Sequence, residues 1–523
     1  MIESSTLWLL IGSSASLYLL QLILDYRKAL KAVGDLPGYR LILAQTSILS
    51  NVIPVYIPGF ASGRNHAWRG KHKEFEYFGA DIHTAVSIWP RARVMLNVAD
   101  AGAIKEITSA RSKWPKPVEQ YALVLQFGRN IVATEGDEWK KHRKLANPAF
   151  SEPNNKLVWN EAVGITTDMI DNVWENREVV EVDHAVDITL QIALLIIGSA
   201  GFGRKISFAE DLKVPPGHNM SFKDALHIVS TDMILPTVLP AWSLNLTQRL
   251  RNVRTAMADL SKYMQEMIDE RRNAEKKPER HDLFSSLLDA NMAEAEGDET
   301  RLEDSELIGN IFIFLLAGHE TTAHTLCFTL GLLALYQDQQ EILYQHIMSV
   351  LPDKRLPTYE DMSSLSYVLA VFYETLRLFP PVATIPKKSA EDTTLVTTNS
   401  AGEKIVVSVP KGASVTLHTP GLHYNPRYWK DPYEFRPQRF MEDWPRDAFL
   451  PFSGGARSCI GRRFSETESL AILAVLMARY RVEVKEEPQF ADETFDQRRE
   501  RLLKVKAGIT STPVRVPLVF KRR

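Results

Sequence analysis

The chain has 523 residues, 45% of them hydrophobic and 24% charged, with a formal net charge of -2. This is ordinary globular composition with ample apolar material for a large core. Near-neutrality leaves no basic footprint, which sets nucleic-acid binding aside. Only two cysteines occur, Cys327 and Cys459. They cannot staple a chain this long, so free thiols in a reducing compartment are expected.

Thr6 to Leu24 reads TLWLLIGSSASLYLLQLIL, 19 residues without a charge. As a helix it would span roughly 28 Å, about one hydrocarbon core. Glu3 precedes it, and Arg27, Lys28 and Lys31 follow. The positive-inside bias then predicts a single-pass anchor with the body in the cytosol. A cleaved signal peptide is the alternative, but the segment is long and lacks a basic leader. Residues 1–34 are therefore read as anchor and flank, and 35–523 as one body.

After a short hinge at Leu36-Pro37-Gly38, Leu41 to Phe60 forms a second apolar stretch, broken by Asn51, Pro54 and Pro58. It reads as a membrane contact or as core packing. Ala85 to Val98 contains strand-like runs, and helical patterns dominate from there to Tyr336. Pro215 to Trp242 is proline-rich, and Lys276 to Arg280 reads as a charged linker. Strand signals return at Lys404 to Val409 and Ala413 to His418, around the turn Pro410-Lys411-Gly412. No repeat and no Gly-rich linker divides the body, so one large, mainly helical domain with small β-sheets is expected.

Phe452 to Gly461 reads FSGGARSCIG, in which Phe452, Gly455, Arg457, Cys459 and Gly461 fit F-x-x-G-x-R-x-C-x-G. A helix pattern begins just after Cys459, so its N-terminal dipole favours a negative sulfur. The segment resembles the haem-binding loop of the cytochrome P-450 family. A loop that offers a thiolate to haem iron needs glycines where the backbone turns sharply or approaches the porphyrin. It also needs a cation for a propionate, which Arg457 supplies. The bland alternative is a buried structural cysteine in a Gly-rich turn.

Three further motifs resemble the family's in the same order. Trp139-Lys-Lys-His-Arg143 matches W-x-x-x-R, where an indole N–H and a guanidinium on one helix face can grip a propionate. Lys140, Lys141 and Lys144 add charge suited to an acidic redox partner, or form a solvated face. Ser305 to Tyr336 is a long apolar helix pattern with Asp304 or Ser305 as its N-cap. Within it, Ala317-Gly-His-Glu-Thr-Thr322 resembles [AG]-G-x-[DE]-T-[TS] of the family's distal helix. There Gly318 removes bulk beside the haem, and Glu320 and Thr321 offer an acid and a hydroxyl for proton delivery. The alternative role for Thr321 is a bond back to a helix carbonyl. His319 and His324 nearly spell a zinc motif, but five residues of separation turn them about 140° apart, too far to share a metal. Glu374-Thr-Leu-Arg377 matches E-x-x-R, and Phe435 to Phe440 resembles the short segment whose arginine, here Arg439, completes a buried Glu-Arg-Arg cluster. By position after E-x-x-R, Lys387 is a further propionate candidate.

The resemblance covers roughly residues 35 to 520, is of the microsomal eukaryotic type, and is fungal in style; the hinge is shorter than the family's usual proline-rich one. It implies heme b (iron protoporphyrin IX) held by Cys459, with Trp139, Arg143, Arg457, Phe452, Gly318, Gly461 and Lys387 around it. It further implies an endoplasmic reticulum membrane location, NADPH–cytochrome P-450 reductase as electron donor, and a lipophilic substrate such as a terpenoid or steroid. Thiolate ligation favours O–O cleavage and hence insertion of one oxygen atom into a C–H bond. Electrons must come from outside, since no Rossmann-type G-x-G-x-x-G is evident. Val382 to Ile385 and the region near Met233 to Trp242 are candidates for substrate contact or entry, or equally plain core. The alternatives are a fatty-acid or xenobiotic hydroxylase, a reductase-independent isomerase or dehydratase, and a non-catalytic haem carrier.

Overall fold

A computed structural model of the chain describes residues 4–34, 36–203, 214–273, 281–293 and 301–523; the charged segment Lys276 to Arg280 lies outside them. The architecture is mainly α-helical with small sheets at its periphery. At its centre runs the helix Asp304–Leu335, 32 residues long. It is apolar on every side, which a helix tolerates only when neighbours cover it all round. Ala185–Ile196 packs along it, as do Ser366–Leu378 and the strand Tyr480–Val484. Arg462–Arg479, the helix after Cys459, packs on Glu152–Asp168. The central helix starts one residue earlier than the sequence pattern suggests, with Glu303 at the N-cap. The reason is Glu306, whose Oε2 accepts the Glu303 N–H at 2.9 Å and so extends the first turn.

Five strands form the main sheet in the order Gly38–Leu43, Ile82–Trp89, Arg93–Val98, Ser414–His418, Thr384–Lys388. The strand-like run around Ala85 to Val98 is thus two antiparallel strands meeting near Pro90. The two strands flanking Pro410-Lys411-Gly412 do not pair with each other. Lys404–Val409 pairs with Thr393–Thr398, while Ser414–His418 lies between Arg93–Val98 and Thr384–Lys388. The turn therefore passes the chain from one sheet to another. A short strand, Val179–Val182, interrupts the region expected to be helical and pairs with Leu518–Arg522. Its alternate exposure, with no fully buried face, left it without a hydrophobic signature.

Among the described residues, one helix is long and apolar enough to cross a membrane, Asp304–Leu335, and 78% of its apolar window is buried inside the protein. It is the core helix. The expected N-terminal segment is a helix, Ser4–Val33, rather than a shorter span. It leans on the main sheet, and from its middle Tyr18 donates to the Pro90 carbonyl at 3.1 Å. Trp8, Ile11, Leu17, Leu19, Leu20 and Leu24 remain exposed. The apolar stretch from Leu41 to Phe60 divides in the same way. Leu41 and Leu43 enter the core, while Ile48, Leu49, Val52 and Val55 are exposed.

Candidate active site

The loop carrying Cys459 is shaped by backbone as much as by side chains. Gly455 has a φ of +63°, and a Cβ there would stand 2.0 Å from the Thr108 carbonyl oxygen, so only glycine fits. The loop closes through Cys459 N–H to Phe452 O at 2.8 Å and Ser458 N–H to Gly455 O at 3.1 Å. Helix Arg462–Arg479 begins with Gly461 as N-cap, two residues past the cysteine. The Gly461 N–H donates to the sulfur, and Arg143 and Arg462 lie close enough to favour its anion. Burial among surrounding protein is nonetheless the larger effect and pushes the free thiol upward. Cys459 is at the same time accessible, whereas Cys327 is buried in the core. A residue that is accessible yet ringed by protein lies in a recess.

The opposite wall is the central helix. Between Gly309 and Ala334 its residues are buried except at Ala317, Gly318, Glu320 and Thr321. Thr322 Oγ1 stands 3.2 Å from Ser465 Oγ, six residues beyond Cys459. Phe150 meets both walls: its ring lies edge-on to Phe314, and it is the nearest neighbour of Gly461. The opened turn and the cysteine loop therefore border the same space. Thr321 Oγ1 donates to Ala317 O at 2.8 Å, the back-bond weighed from the sequence. Burial raises Glu320 to about 7.

The third wall is a cluster of cations. Trp139 is sandwiched between the guanidiniums of Arg111 and Arg457, 4.5 and 4.3 Å from its ring. Arg457 pairs with Glu135 at 2.9 Å and donates to the carbonyls of Ile131 and Thr134. Lys116 is half-buried over the Tyr121 ring, donates to Val132 O, and is pushed down to about 7 chiefly by desolvation. Lys387 is buried in the same field, its amine lowered by burial and its charge felt by Glu135, Arg457 and Arg111. Arg143 reaches the Ser458 carbonyl at 3.3 Å, next to Cys459. Arg111 Nη1 and Arg457 Nε are buried with no partner among the described residues.

These residues suit the iron–porphyrin that the family resemblance implies. Unpaired buried donors are costly unless something accepts from them. Here Lys116, Lys387 and Arg457 face the carboxylate of Glu135 and Arg111 faces the exposed Asp137, four cations to two carboxylates, leaving positive charge for a dianionic rim. Phe452 contributes differently: its ring lies under the Arg462 guanidinium at 5.5 Å, at the loop's entrance. Arg111, Lys116 and Glu135 carry no motif, and the sequence reading passed over them. They come from an irregular segment and a helix cap, where no periodicity signals a site.

The Glu-Arg-Arg cluster forms away from this recess. Glu374 and Arg377 are fully buried and joined at 2.7 and 2.9 Å, and Arg439 Nε reaches Glu374 Oε1 at 3.0 Å. The terminal nitrogens of both arginines donate to carbonyls, those of Arg377 to His423, Pro432 and Glu434 and those of Arg439 to Lys430 and Asp431.

Two metal-like arrangements do not survive the hydrogen bonding. His319 Nδ1 bonds Leu315 O and His324 Nδ1 bonds Thr510, so the near-zinc motif is split between different partners. Glu138, His142 and Glu306 bring ligand atoms within 4.8 Å of one another. Yet Asn310 Oδ1 accepts the Ile131 N–H, which fixes its Nδ2 as the donor facing His142 Nδ1 at 2.7 Å. His142 therefore carries its proton on Nε2, the nitrogen a metal would need. Lys141 already holds both oxygens of Glu306 at 2.8 Å. That inward pairing also removes Lys141 from the surface charge expected for a redox partner, and Lys140 is paired with Asp137.

The sequence pattern of the family described as Cytochrome P450 matches residues 51–507. Over 502 residues the chain is 57% identical to Cytochrome P450 monooxygenase 124 of Postia placenta, covering 96% of each. Over 460 residues it is 30% identical to Cytochrome P450 monooxygenase prx9 of Penicillium rubens, covering 80% of this chain and 78% of that one. The solved haem domain of cytochrome P450DA shares the fold at a TM-score of 0.70 and 22% identity, covering 87% of this chain and 93% of that one. Recess, cysteine loop and relatives agree: the chain belongs to the cytochrome P-450 family and is a monooxygenase of that family.

Proposed function

We propose that this monooxygenase binds heme b through Cys459 and inserts one oxygen atom from O2 into a lipophilic small molecule. NADPH–cytochrome P-450 reductase supplies the two electrons, and the second oxygen atom leaves as water. The observation that carries this reading is the recess: an accessible cysteine, a buried helix opened only at Ala317 to Thr321, and surplus cations beside both. The haem supplies the oxygen-activating chemistry when bound. Arg457, Trp139, Lys387 and Arg143 orient it through its propionates, joined by Arg111 and Lys116. Gly461 and Phe452 would border the haem beside Cys459, whereas the bulk that Gly318 lacks would meet Ile197, 3.0 Å from a Cβ built there, so its role is close packing against that residue. Glu320 holds a proton near neutrality, and the Thr321 hydroxyl can leave Ala317 O to donate toward the open space. Glu374, Arg377 and Arg439 hold the scaffold.

The exposed apolar residues of Ser4–Val33 and the exposed Ile48, Leu49, Val52 and Val55 support a membrane-facing surface. The basic residues Arg27, Lys28 and Lys31 after the helix support a cytosolic body at the endoplasmic reticulum. The narrower reading, a terpenoid or steroid substrate in secondary metabolism, rests on the likeness to fungal members. The test is substrate-dependent NADPH consumption by the holoenzyme with reductase, scored by product. Product formed without reductase or NADPH would replace this reading by an isomerase or dehydratase. For orientation, Asn219 and Asn245, both in N-x-[ST] sequons, are expected to stay unglycosylated.

A further inference from the structure

Glu320 does not end at the recess. Thr510 donates its hydroxyl to Glu320 Oε1 at 3.3 Å, and His324 Nδ1 stands 2.8 Å from the same Thr510 oxygen. Thr510 lies in the turn between Val505–Ala507 and Ser511–Pro513, and this hairpin packs on the central helix. His324 is four residues after Glu320, one turn along the same helix face. Both Thr510 and His324 are buried, at 5% and 4% exposure, so water does not satisfy them in place of each other. Glu320 Oε2 has no partner among the described residues.

The chain of three groups has two self-consistent directions. A hydroxyl has one hydrogen to donate. With Glu320 ionised, Thr510 donates to Oε1, so His324 must donate from Nδ1 to Thr510. With Glu320 protonated at Oε1, the acid donates to Thr510, and Thr510 donates to the bare Nδ1 of His324. Passing from the first to the second moves one proton from His324 Nδ1 to the hydroxyl and the hydroxyl's own proton to Glu320. Imidazolium and carboxylate become neutral imidazole and carboxylic acid, and the next proton arrives at His324. We propose that Thr510 and His324 form the proton wire that refills Glu320 from the side of the C-terminal hairpin.

The electrostatics set the direction of flow. Burial holds His324 down at about 4, with His319 of the same helix, Lys506 of the hairpin and His184 of the adjoining segment acting in the same sense. Burial holds Glu320 up at about 7, opposed only by the Thr510 hydroxyl. A proton on His324 therefore falls to Glu320 rather than back. Lys506 is exposed, so the outer end of the path lies near solvent.

This inference rests on the monooxygenase reading, and one set of holoenzyme variants separates the two. Thr510→Val removes the hydroxyl at constant shape, Thr510→Ser returns it, and His324→Gln removes the outer proton carrier. The first readout is the infrared carboxyl band of Glu320, assigned by its loss in Glu320→Gln and followed against pH. Its midpoint is expected to move upward in Thr510→Val, because a donor to the carboxylate is gone, and to return in Thr510→Ser. The second is product per NADPH. It is expected to fall in Thr510→Val and His324→Gln most strongly above pH about 7, where an emptied Glu320 stays ionised, and to recover in Thr510→Ser. An unmoved midpoint, or a loss that is equal at every pH, would overturn the wire. If Glu320→Gln itself leaves product per NADPH unchanged, the proton role of Glu320 falls instead.

Discussion

Two arginine-rich clusters sit in this protein, and they are built to opposite rules. Around Glu374, every guanidinium nitrogen of Arg377 and Arg439 donates to the carboxylate or to a carbonyl, and Glu374 and Arg377 have no exposed surface. Around Trp139, Arg111 and Arg457 leave buried N–H groups unpaired among the described residues, and the four cations outnumber the carboxylates Glu135 and Asp137. A closed cluster has finished its chemistry within the chain and serves the fold. An open one holds unspent hydrogen bonds and charge, which only a ligand can use. The open cluster borders the accessible Cys459, and the closed one does not.

The largest expected effect belongs to the open side. Cys459→Ala is expected to abolish the thiolate-type red-shifted Soret band of the reduced CO complex, while Cys327→Ala retains it. A normal band in the Cys459 variant would break the comparison at its root. On the closed side, Glu374→Gln is expected to destabilise the fold by about 3–5 kcal/mol, the usual cost of stranding a buried partner charge. Arg457→Met is expected to cost far less in denaturant titration, because its neighbours already tolerate unpaired donors, but to weaken haem retention. Equal losses of stability in the two variants would show that both clusters are structural.

The motif residues were legible because their chemistry is written in adjacent positions. Cys459 with its glycines, Trp139 with Arg143, and Glu374 with Arg377 each carry a fixed local spacing. The central helix was legible from its length and apolar content, though its cap moved to Glu303 through a side chain three residues on. What stayed hidden is set by partners distant in sequence. Lys116 reads as one more lysine until Tyr121 and Val132 engage its amine, and Thr510 reads as a loop residue until it meets Glu320, 190 positions away. The strand Val179–Val182 exists because Leu518–Arg522 offers it an edge. Its own residues show only half-burial, which periodicity cannot separate from a loop. The N-terminal helix was foreseen, but its lean against the sheet through Tyr18 and Pro90 was not, since nothing in an apolar run says what it touches.

A smaller effect tests the open turn of the central helix. Thr321 donates to Ala317 O, so the hydroxyl is either a helix back-bond or a donor into the recess. Thr321→Ala is expected to leave haem binding and substrate affinity nearly intact, since neither depends on that hydroxyl. Product per NADPH is expected to fall as reduced oxygen leaves as hydrogen peroxide. General acid groups commonly contribute about 10²–10⁴-fold, and a single hydroxyl that only positions a proton belongs at the lower end. An unchanged ratio would assign Thr321 to helix packing.

The smallest effect sharpens the comparison most directly, because it reads the unspent charge itself. Lys116 is held near 7 in the folded protein, first by desolvation and then by Arg457 and Lys387, with Glu135 opposing them. Its unfolded value is near 10.4. Between these values the unfolded chain binds more protons than the folded one. The stability of the haem-free fold is therefore expected to rise with pH from about 7 to about 10 as far as this group contributes. Binding a propionate reverses the sign. The carboxylate favours the protonated amine, so haem association takes up a proton once the pH exceeds about 7. Affinity is then expected to fall with rising pH, by at most about tenfold per unit, until the amine of the loaded protein also titrates. Lys116→Met is expected to flatten both curves between pH 7 and 9, measured by haem transfer to apomyoglobin and by denaturant titration of the haem-free chain. The same substitution on the closed side, Arg439→Met, offers no comparable titration, because a guanidinium paired with Glu374 keeps its charge throughout this pH range. If Lys116→Met leaves the pH dependence of haem transfer as it was, the surplus charge beside Trp139 is not what holds the propionates, and Arg111 and Arg457 must carry that role without it.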